Sequence, residues 1–474
     1  MSTQREHFSS KLGFVLAAAG SAVGIGNLVG FPVAATKNGG GAFLLIYAFF
    51  VVLICLPVMI AEMSLGRRSQ KDPLGTYSAL SEGSIVWKLA GAISIITPFM
   101  ISVFYMVLTV WLFGYLTQAF MGGLDTLADP DNFNNFINSK SIFVYMIVAF
   151  AIVNFILIGG VKDGIERAAR LLMPSLFVML LILVVYVLTL DNAMAGVKYY
   201  LVPDFSKIDA SVVNGALSQA FFSLSLGMGV MITYGSYLNK QDDITGSAKF
   251  VAFVDTLVAF TAGLMILPAI FSFNPNTDSS TLSDSSVTLI FSYLPQILYA
   301  LQDSIGYTGA SIVAVIFFML VFFAAITSLV SIIEVPVASF IDELKMSRKK
   351  ALMTMFGLMA VLSILSAMSF GMVDGLTQFI SYGGSTKSLF DFIVEVFYET
   401  VLPLNGLLVC LFVVYRWKKA NFHEELSTGN PNFNGSLLQK YVDFSLSTFI
   451  PVFLLLIFLN TVLLKYFGIN LITG

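Results

Sequence analysis

Asp255 stands in Phe253-Val254-Asp255-Thr256-Leu257, within a long apolar run. A carboxylate buried in hydrocarbon is costly and marks an ion or substrate path. Ala324, Thr327 and Ser328 stand at i, i+3 and i+4, so on a helix they share one face. The alternative for the two hydroxyls is bonding back to their own helix. The run Gly20-Ser21-Ala22-Val23-Gly24-Ile25-Gly26-Asn27 interrupts the first apolar stretch. Glycine adds backbone freedom and asparagine competes for backbone hydrogen bonds, so both favour loss of helix. In hydrocarbon the freed carbonyls and amides need partners, and an unwound stretch is tolerable only around a polar or hydrated cavity. The chemistry implied is the holding of ions and a polar solute at mid-membrane depth. Small-residue helix packing is the alternative, since Gly20 with Gly24, and Gly26 with Gly30, have GxxxG spacing.

The elements that must position these residues follow from composition. The 474 residues are 57% hydrophobic and 11% charged, with a net charge of -3, whereas soluble domains average about a quarter charged. The chain is therefore an all-α polytopic membrane protein. Apolar stretches long enough to span a bilayer fall at 12–35, 41–65, 88–120, 141–160, 168–190, 212–238, 248–273, 309–343, 349–370, 388–416 and 442–466, which predicts eleven transmembrane helices. The third is long enough to tilt or project. The polar start MSTQREHFSSKLGF leads directly into an apolar span, so no cleavable signal peptide is expected. Cys55 and Cys410 fall in apolar spans and His7 and His423 outside them, which suggests neither a disulfide framework nor a zinc site. Most lysines and arginines, among them Arg67, Arg68, Arg167, Arg170, Arg348, Lys349 and Lys350, lie on one side if the N-terminus is cytoplasmic. The positive-inside rule then places the C-terminus outside. The outer connections 121–139 and 274–308 are rich in Asp, Asn, Ser and Pro, and the second is expected to carry short helices.

Span 6 repeats the interruption of span 1, with glycines and hydroxyls in Phe222-Ser223-Leu224-Ser225-Leu226-Gly227-Met228-Gly229. Breaks in the first span of each of two five-span blocks suit a five-plus-five inverted repeat, with spans 1 and 6 unwound at mid-membrane. Such half-helices offer N-terminal dipole ends to an anion and free carbonyls to cations. The expected divisions are 1–190 for spans 1–5, 191–417 for spans 6–10, and 418–474 for a cytoplasmic loop plus span 11.

On these motifs the chain resembles the neurotransmitter:sodium symporter family, in particular its bacterial leucine, tryptophan and tyrosine transporters. The matching stretches are REHF at 5–8, the GSAVGIGN run, Phe31-Pro32, Asn38 to Phe43, GVKDGIERAARLLMP at 160–174, FFSLSLGMG at 221–229, AAITSLVSIIE at 324–334 and DELKMSR at 342–348. The resemblance implies two sodium ions, hard cations that prefer oxygen ligands. It implies a first sodium site from the Ala22 carbonyl, Asn27, Ser223 and Asp255, completed by the substrate carboxylate. It implies a second from the Gly20, Val23 and Ala324 carbonyls with Thr327 and Ser328. Chloride-dependent relatives carry a neutral amide at the position of Asp255 and a serine four residues on, where this chain has Ala259. A fixed carboxylate can replace chloride, and the implied transport is chloride-independent; proton carriage by Asp255 is the rival role.

The resemblance further implies a substrate pocket of Ala22, Gly24, Gly26, Ile101, Tyr105, Phe222, Ser225, Met228, Ser328 and Ile332. Monoamine carriers of the family have an aspartate where Gly24 stands, so glycine suits a substrate bringing its own carboxylate, bound by Tyr105. The apolar walls and flexible Met228 suit a neutral hydrophobic or aromatic amino acid. Arg5 and Asp342 match the inner gate, supported by Phe8, Ser236 and Tyr237, and Phe222 over Tyr105 is the expected outer lid. Many relatives have an arginine where this chain has Gly30, so the usual outer ion pair is missing, and no role follows for Asp391, Glu395 or Glu399 in span 10. Glu62 is expected to support the unwound backbone of span 1, or to be a satisfied structural carboxylate.

No nucleophile–base pair, phosphate loop or metal cluster marks an enzyme. The expected activity is sodium-coupled import of a neutral hydrophobic or aromatic amino acid by alternating access. The alternatives are a proton-coupled amino-acid carrier, or a sensor or channel that binds substrate without coupled transport. Partners are the amino acid and membrane lipid, with no nucleic acid, for a monomer or homodimer in a bacterial inner membrane.

Overall fold

The computed structural model describes residues 5–273 and 286–469. The protein is an all-α polytopic membrane protein. The strands among the described residues form one short hairpin, Ile380–Tyr382 paired with Ser385–Lys387. Nine helices among the described residues are long and apolar enough to cross a membrane. A tenth span results if Lys11–Ala22 and Gly26–Lys37, bent by 54° at the break, are joined as span 1. The eleven spans expected from sequence exceed this count because span 6 is divided. Its arms are Ala210–Ser223 and Val230–Gly235, with 224–229 outside helix. Neither arm has the length to cross alone, and the first carries Asn214, Ser218 and Gln219.

The other spans are span 2 (Gly41–Ser69), span 3 (Ile85–Phe120), span 4 (Ser141–Ile158), span 5 (Val161–Val187), span 7 (Ile244–Phe273), span 8 (Gln302–Asp342), span 9 (Arg348–Ala367), span 10 (Leu389–Gly429) and span 11 (Leu437–Phe467). Backbone breaks at Gly306 (φ 74°) and Lys418 (φ 73°) set off the start of span 8 and the helix Lys419–Gly429 after span 10. Span 3, at 36 residues, is about 54 Å long at the α-helical rise. Short helices occupy both polar connections: Leu124–Ala128 and Asn132–Ile137 in the first, and Leu289–Tyr293 and Leu294–Ala300 in the second. The expectation for 274–285 lies outside the described residues.

Local sequence accounts for the key ends. Ser10 caps span 1, its hydroxyl accepting from Gly13 N at 3.0 Å, which satisfies one of the free N–H groups of a first helical turn. Asp72 caps the short helix Pro73–Leu80 in the same way. Span 8 packs along span 3, and the first arm of span 1 is enclosed by spans 5, 7 and 8. The interrupted stretch of span 1 is therefore surrounded by protein, which is where broken helix is tolerated.

Candidate functional site

The two interruptions have different local causes. In span 1 the helix stops at Ala22, Val23 is extended (φ -73°, ψ 97°), and helix resumes beyond Gly24. In span 6, Ser225, Gly227 and Gly229 all have left-handed backbone, with φ of 53°, 75° and 69°. Gly227 needs to be glycine twice over, since a Cβ there would lie 2.5 Å from the Leu402 carbonyl oxygen. Side chains from four other spans take up the freed backbone groups. Tyr105 Oη accepts from Ile25 N at 3.2 Å, and Ser328 Oγ donates to Ser21 O at 3.1 Å. Glu62 accepts from Gly227 N at 2.8 Å, and Asn405 donates to Gly227 O at 2.9 Å. Glu62 thus serves span 6 rather than span 1, which corrects the sequence expectation. Its second carboxyl oxygen is buried without a hydrogen-bond partner among the described residues.

Between the interruptions lies a cavity of about 50 Å³. Ala22, Gly24, Gly26, Ile101, Tyr105, Phe222, Ser225, Met228, Ser328 and Ile332 all line it. Ser21, Asn27, Gln219, Ser223 and Tyr398 complete the lining. One end is polar, around Asn27 and Ser223; the walls at Ile101, Met228 and Ile332 are apolar. Gly24 is closely approached from two sides: a Cβ there would lie 2.7 Å from both Ser328 Oγ and Tyr105 Oη, so a larger residue fits only by displacing one of them.

A single buried carboxylate with its hydrogen-bond donors flanks the polar end. Asp255 has no exposed surface and accepts from Asn27 Nδ2 at 2.7 Å, Ser223 Oγ at 2.9 Å and Tyr47 Oη at 3.3 Å. Three donors on one carboxylate supply the solvation an anion loses on burial. Asn27 Oδ1 accepts from Gly24 N at 3.1 Å, so the Asn27 amide bridges the carboxylate to the interrupted backbone. Tyr47 is absent from the sequence expectations. The available signal was its phenol, the only hydroxyl in the apolar stretch from Gly41 to Ile60 of span 2.

The second group of oxygens converges on the first arm of span 1. Ser328 Oγ lies 3.4 Å from Gly20 O and 3.3 Å from Val23 O, besides its bond to Ser21. Thr327 instead bonds back within span 8, to Phe323 O at 3.0 Å and Ala324 O at 3.1 Å. It still faces Gly20, where a Cβ would lie 3.3 Å from Thr327 Cβ. Gly20, Val23, Ala324, Thr327 and Ser328 are therefore neighbours, and Ser21 joins them.

The side of the cavity nearer the amino-terminal arm is closed. Arg5 forms an ion pair with Asp342 and donates to Ser236, and its guanidinium lies 4.7 Å from the Tyr237 ring centroid. Phe8 packs edge-on against Phe14, Tyr234 and Tyr237, and Tyr237 Oη donates to Glu334 at 2.7 Å. Asp72, in the connection after span 2, donates its backbone N–H to Asp342 at 2.8 Å. Burial and the carboxylates of Asp342 and Glu343 push the Asp72 carboxyl up to about 7.

At the opposite mouth the expected lid differs. Phe222 stacks on Tyr398 of span 10, with centroids 4.6 Å apart and planes at 26°, and no Phe222–Tyr105 ring pair occurs among the described residues. The three carboxylates of span 10 are engaged elsewhere. Asp391 completes a capping box with Ser388, Glu395 accepts from Lys387 and Tyr382, and Glu399 pairs with Lys465 at 2.7 Å.

A profile of the sodium:neurotransmitter symporter family matches residues 5–140 and 131–468. An uncharacterised sodium-dependent transporter of Bacillus subtilis (strain 168) is 34% identical over 470 residues, covering 98% of this chain and 99% of the relative. Another from Haemophilus influenzae is 33% identical over 473 residues, covering 96% and 98%. Among solved structures, the crystal structure of MhsT in complex with L-phenylalanine superposes with a TM-score of 0.81 at 36% identity, covering 96% of this chain and 99% of MhsT.

Proposed function

The chain belongs to the sodium:neurotransmitter symporter family, a family of transporters and not of enzymes, and on that premise we propose that it imports a neutral hydrophobic or aromatic amino acid together with sodium. The observation that carries the reading is the cavity between the two interruptions, polar at one end and apolar along its walls. The substrate carboxylate sits near Tyr105 and the polar end, and the side chain faces Ile101, Met228 and Ile332. The structure of MhsT with L-phenylalanine supports an amino-acid substrate.

Sodium is cargo. The first ion is held by Ala22, Asn27, Ser223 and Asp255 with the substrate carboxylate, and the second by Gly20, Val23, Ala324, Thr327 and Ser328. Both sets offer oxygen, the donor type a hard cation takes. Asp255 supplies the negative charge at the first ion, which makes transport chloride-independent. Its three hydrogen-bond donors suit the ionised form and so favour sodium over a carried proton. Each sodium contributes about 2.3 kcal/mol per 100 mV of potential and about 1.4 kcal/mol for a tenfold gradient. Two ions then supply about 7 kcal/mol, roughly 10⁵-fold accumulation.

In this reading the N-terminus is cytoplasmic, the membrane is a bacterial inner membrane, and Arg5–Asp342 with Tyr237 is the inner gate. Residues 1–190 and 191–417 form the two inverted repeats, and 418–474 the loop and last span. Alternating access opens the Arg5 side and closes the opposite mouth over the loaded cavity.

The test is uptake of labelled L-phenylalanine, L-tryptophan and L-leucine into proteoliposomes under an inward sodium gradient, with chloride or with gluconate. Sodium-driven uptake equal in both anions is expected. Uptake lost in gluconate overturns chloride independence, uptake indifferent to sodium overturns the coupling, and preference for charged amino acids overturns the substrate class.

A further inference from the structure

Phe222 and Tyr105 both line the cavity, yet the Phe222 ring rests on Tyr398. Tyr398 is itself fixed from behind, its ring edge-on to Phe104 at 5.8 Å and 71°, so it is a firm platform on span 10. No ionic alternative is at hand on that span, because Asp391, Glu395 and Glu399 are occupied by Ser388, by Lys387 with Tyr382, and by Lys465. Span 1 offers Gly30 there in place of a cation. A neutral polar link joins spans 6 and 1 at the cavity lining, with Gln219 Nε2 donating to Gly26 O at 3.1 Å. Meanwhile the Arg5–Asp342 side is sealed, and Phe222, Tyr105 and Tyr398 are each only partly buried. Each of these three rings keeps some accessible surface, and the Phe222 ring lies on Tyr398 and not over Tyr105.

We propose that Tyr398 is a positioning residue that holds Phe222 away from Tyr105, so that the open mouth is stabilised by an aromatic stack where an ion pair is lacking. Closure transfers the Phe222 ring from Tyr398 to Tyr105 above the substrate. The same ring then has two alternative partners, and the strength of the Tyr398 stack sets how often the empty site is open. An aromatic stack of this kind shifts such an equilibrium about three- to tenfold. Because the stack is uncharged, the balance is insensitive to ionic strength.

The proposal rests on this cavity being the substrate site, but its test needs no transport. Met228 lines the cavity, and the two native cysteines are buried. In a Met228→Cys background, purified in sodium-free detergent solution, the modification rate by 2-aminoethyl methanethiosulfonate reports how open the mouth is. Tyr398→Leu is expected to slow modification, by up to about tenfold, since the freed Phe222 ring closes onto Tyr105. Tyr398→Phe, which keeps the stack, is expected to leave the rate unchanged. An equal or faster rate in Tyr398→Leu overturns the proposal, as does a Tyr398→Phe rate as slow as that of Tyr398→Leu. Thermal unfolding verifies that each variant is folded, and Tyr398→Met replaces Tyr398→Leu if the latter is not. Failure of sodium-driven uptake with the expected modification pattern intact would count against the transport reading alone.

Discussion

Asn27 of span 1 donates its side-chain amide to Asp255 of span 7 at 2.7 Å, while its amide oxygen accepts from Gly24 N at 3.1 Å. One side chain therefore joins the buried carboxylate to the interrupted backbone beside the cavity. If the proposed first sodium takes Asn27 Oδ1 as a ligand, it shares that oxygen with Gly24 N, and ion binding and the backbone beside the cavity would be linked through one side chain.

Asp255→Asn removes the charge and keeps the shape. A hydrogen-bonded buried charge is worth about 1.5–3 kcal/mol, so sodium affinity should fall roughly ten- to hundredfold. Chloride should restore part of the uptake, and sodium titrations of uptake in chloride and in gluconate check both points.

Gly24→Ala places a methyl group 2.7 Å from Ser328 Oγ and Tyr105 Oη. Overpacking of this kind costs about 1–3 kcal/mol. Amino-acid affinity should fall roughly ten- to hundredfold, read from displacement of labelled L-phenylalanine, with the global fold retained by thermal unfolding.

Ser328→Ala deletes the hydroxyl that reaches Gly20, Ser21 and Val23, whereas Thr327 spends its hydroxyl within span 8. The sodium concentration for half-maximal uptake should rise roughly tenfold for Ser328→Ala. Thr327→Val should shift it less, and the two sodium titrations compared side by side decide the ranking.

Asp72 gives a pH dependence on the Arg5 side. Its carboxyl is raised from 3.8 to about 7 by burial and by Asp342 and Glu343, with Arg5 acting in the opposite sense. The folded protein holds this proton more tightly than the unfolded chain, so the contribution is complete below about 4 and lost as pH rises through about 7. Thermal stability should decline across that window for this group, and Asp72→Asn should flatten the decline. Melting temperatures of both proteins from pH 4 to pH 8 provide the check.

The apolar runs, the positions of the interruptions and the polar exceptions within the runs were legible in the sequence. Hydrocarbon penalises each unpaired backbone group and buried charge, so such residues stand out without a structure. The cavity-lining residues came through their match to a family motif. Tertiary structure decided which groups meet. Glu62 satisfies Gly227 of span 6, 165 positions away, Phe222 rests on Tyr398, and Tyr47 joins Asp255. Periodicity assigns a residue to a face of its own helix but carries no information on the register of the helix opposite. Span 6 makes the same point at the level of the fold: its glycines and hydroxyls signal a break with left-handed backbone at Ser225, Gly227 and Gly229, but that Glu62 and Asn405 meet the freed N–H and carbonyl of Gly227 is decided by how spans 2 and 10 pack against it.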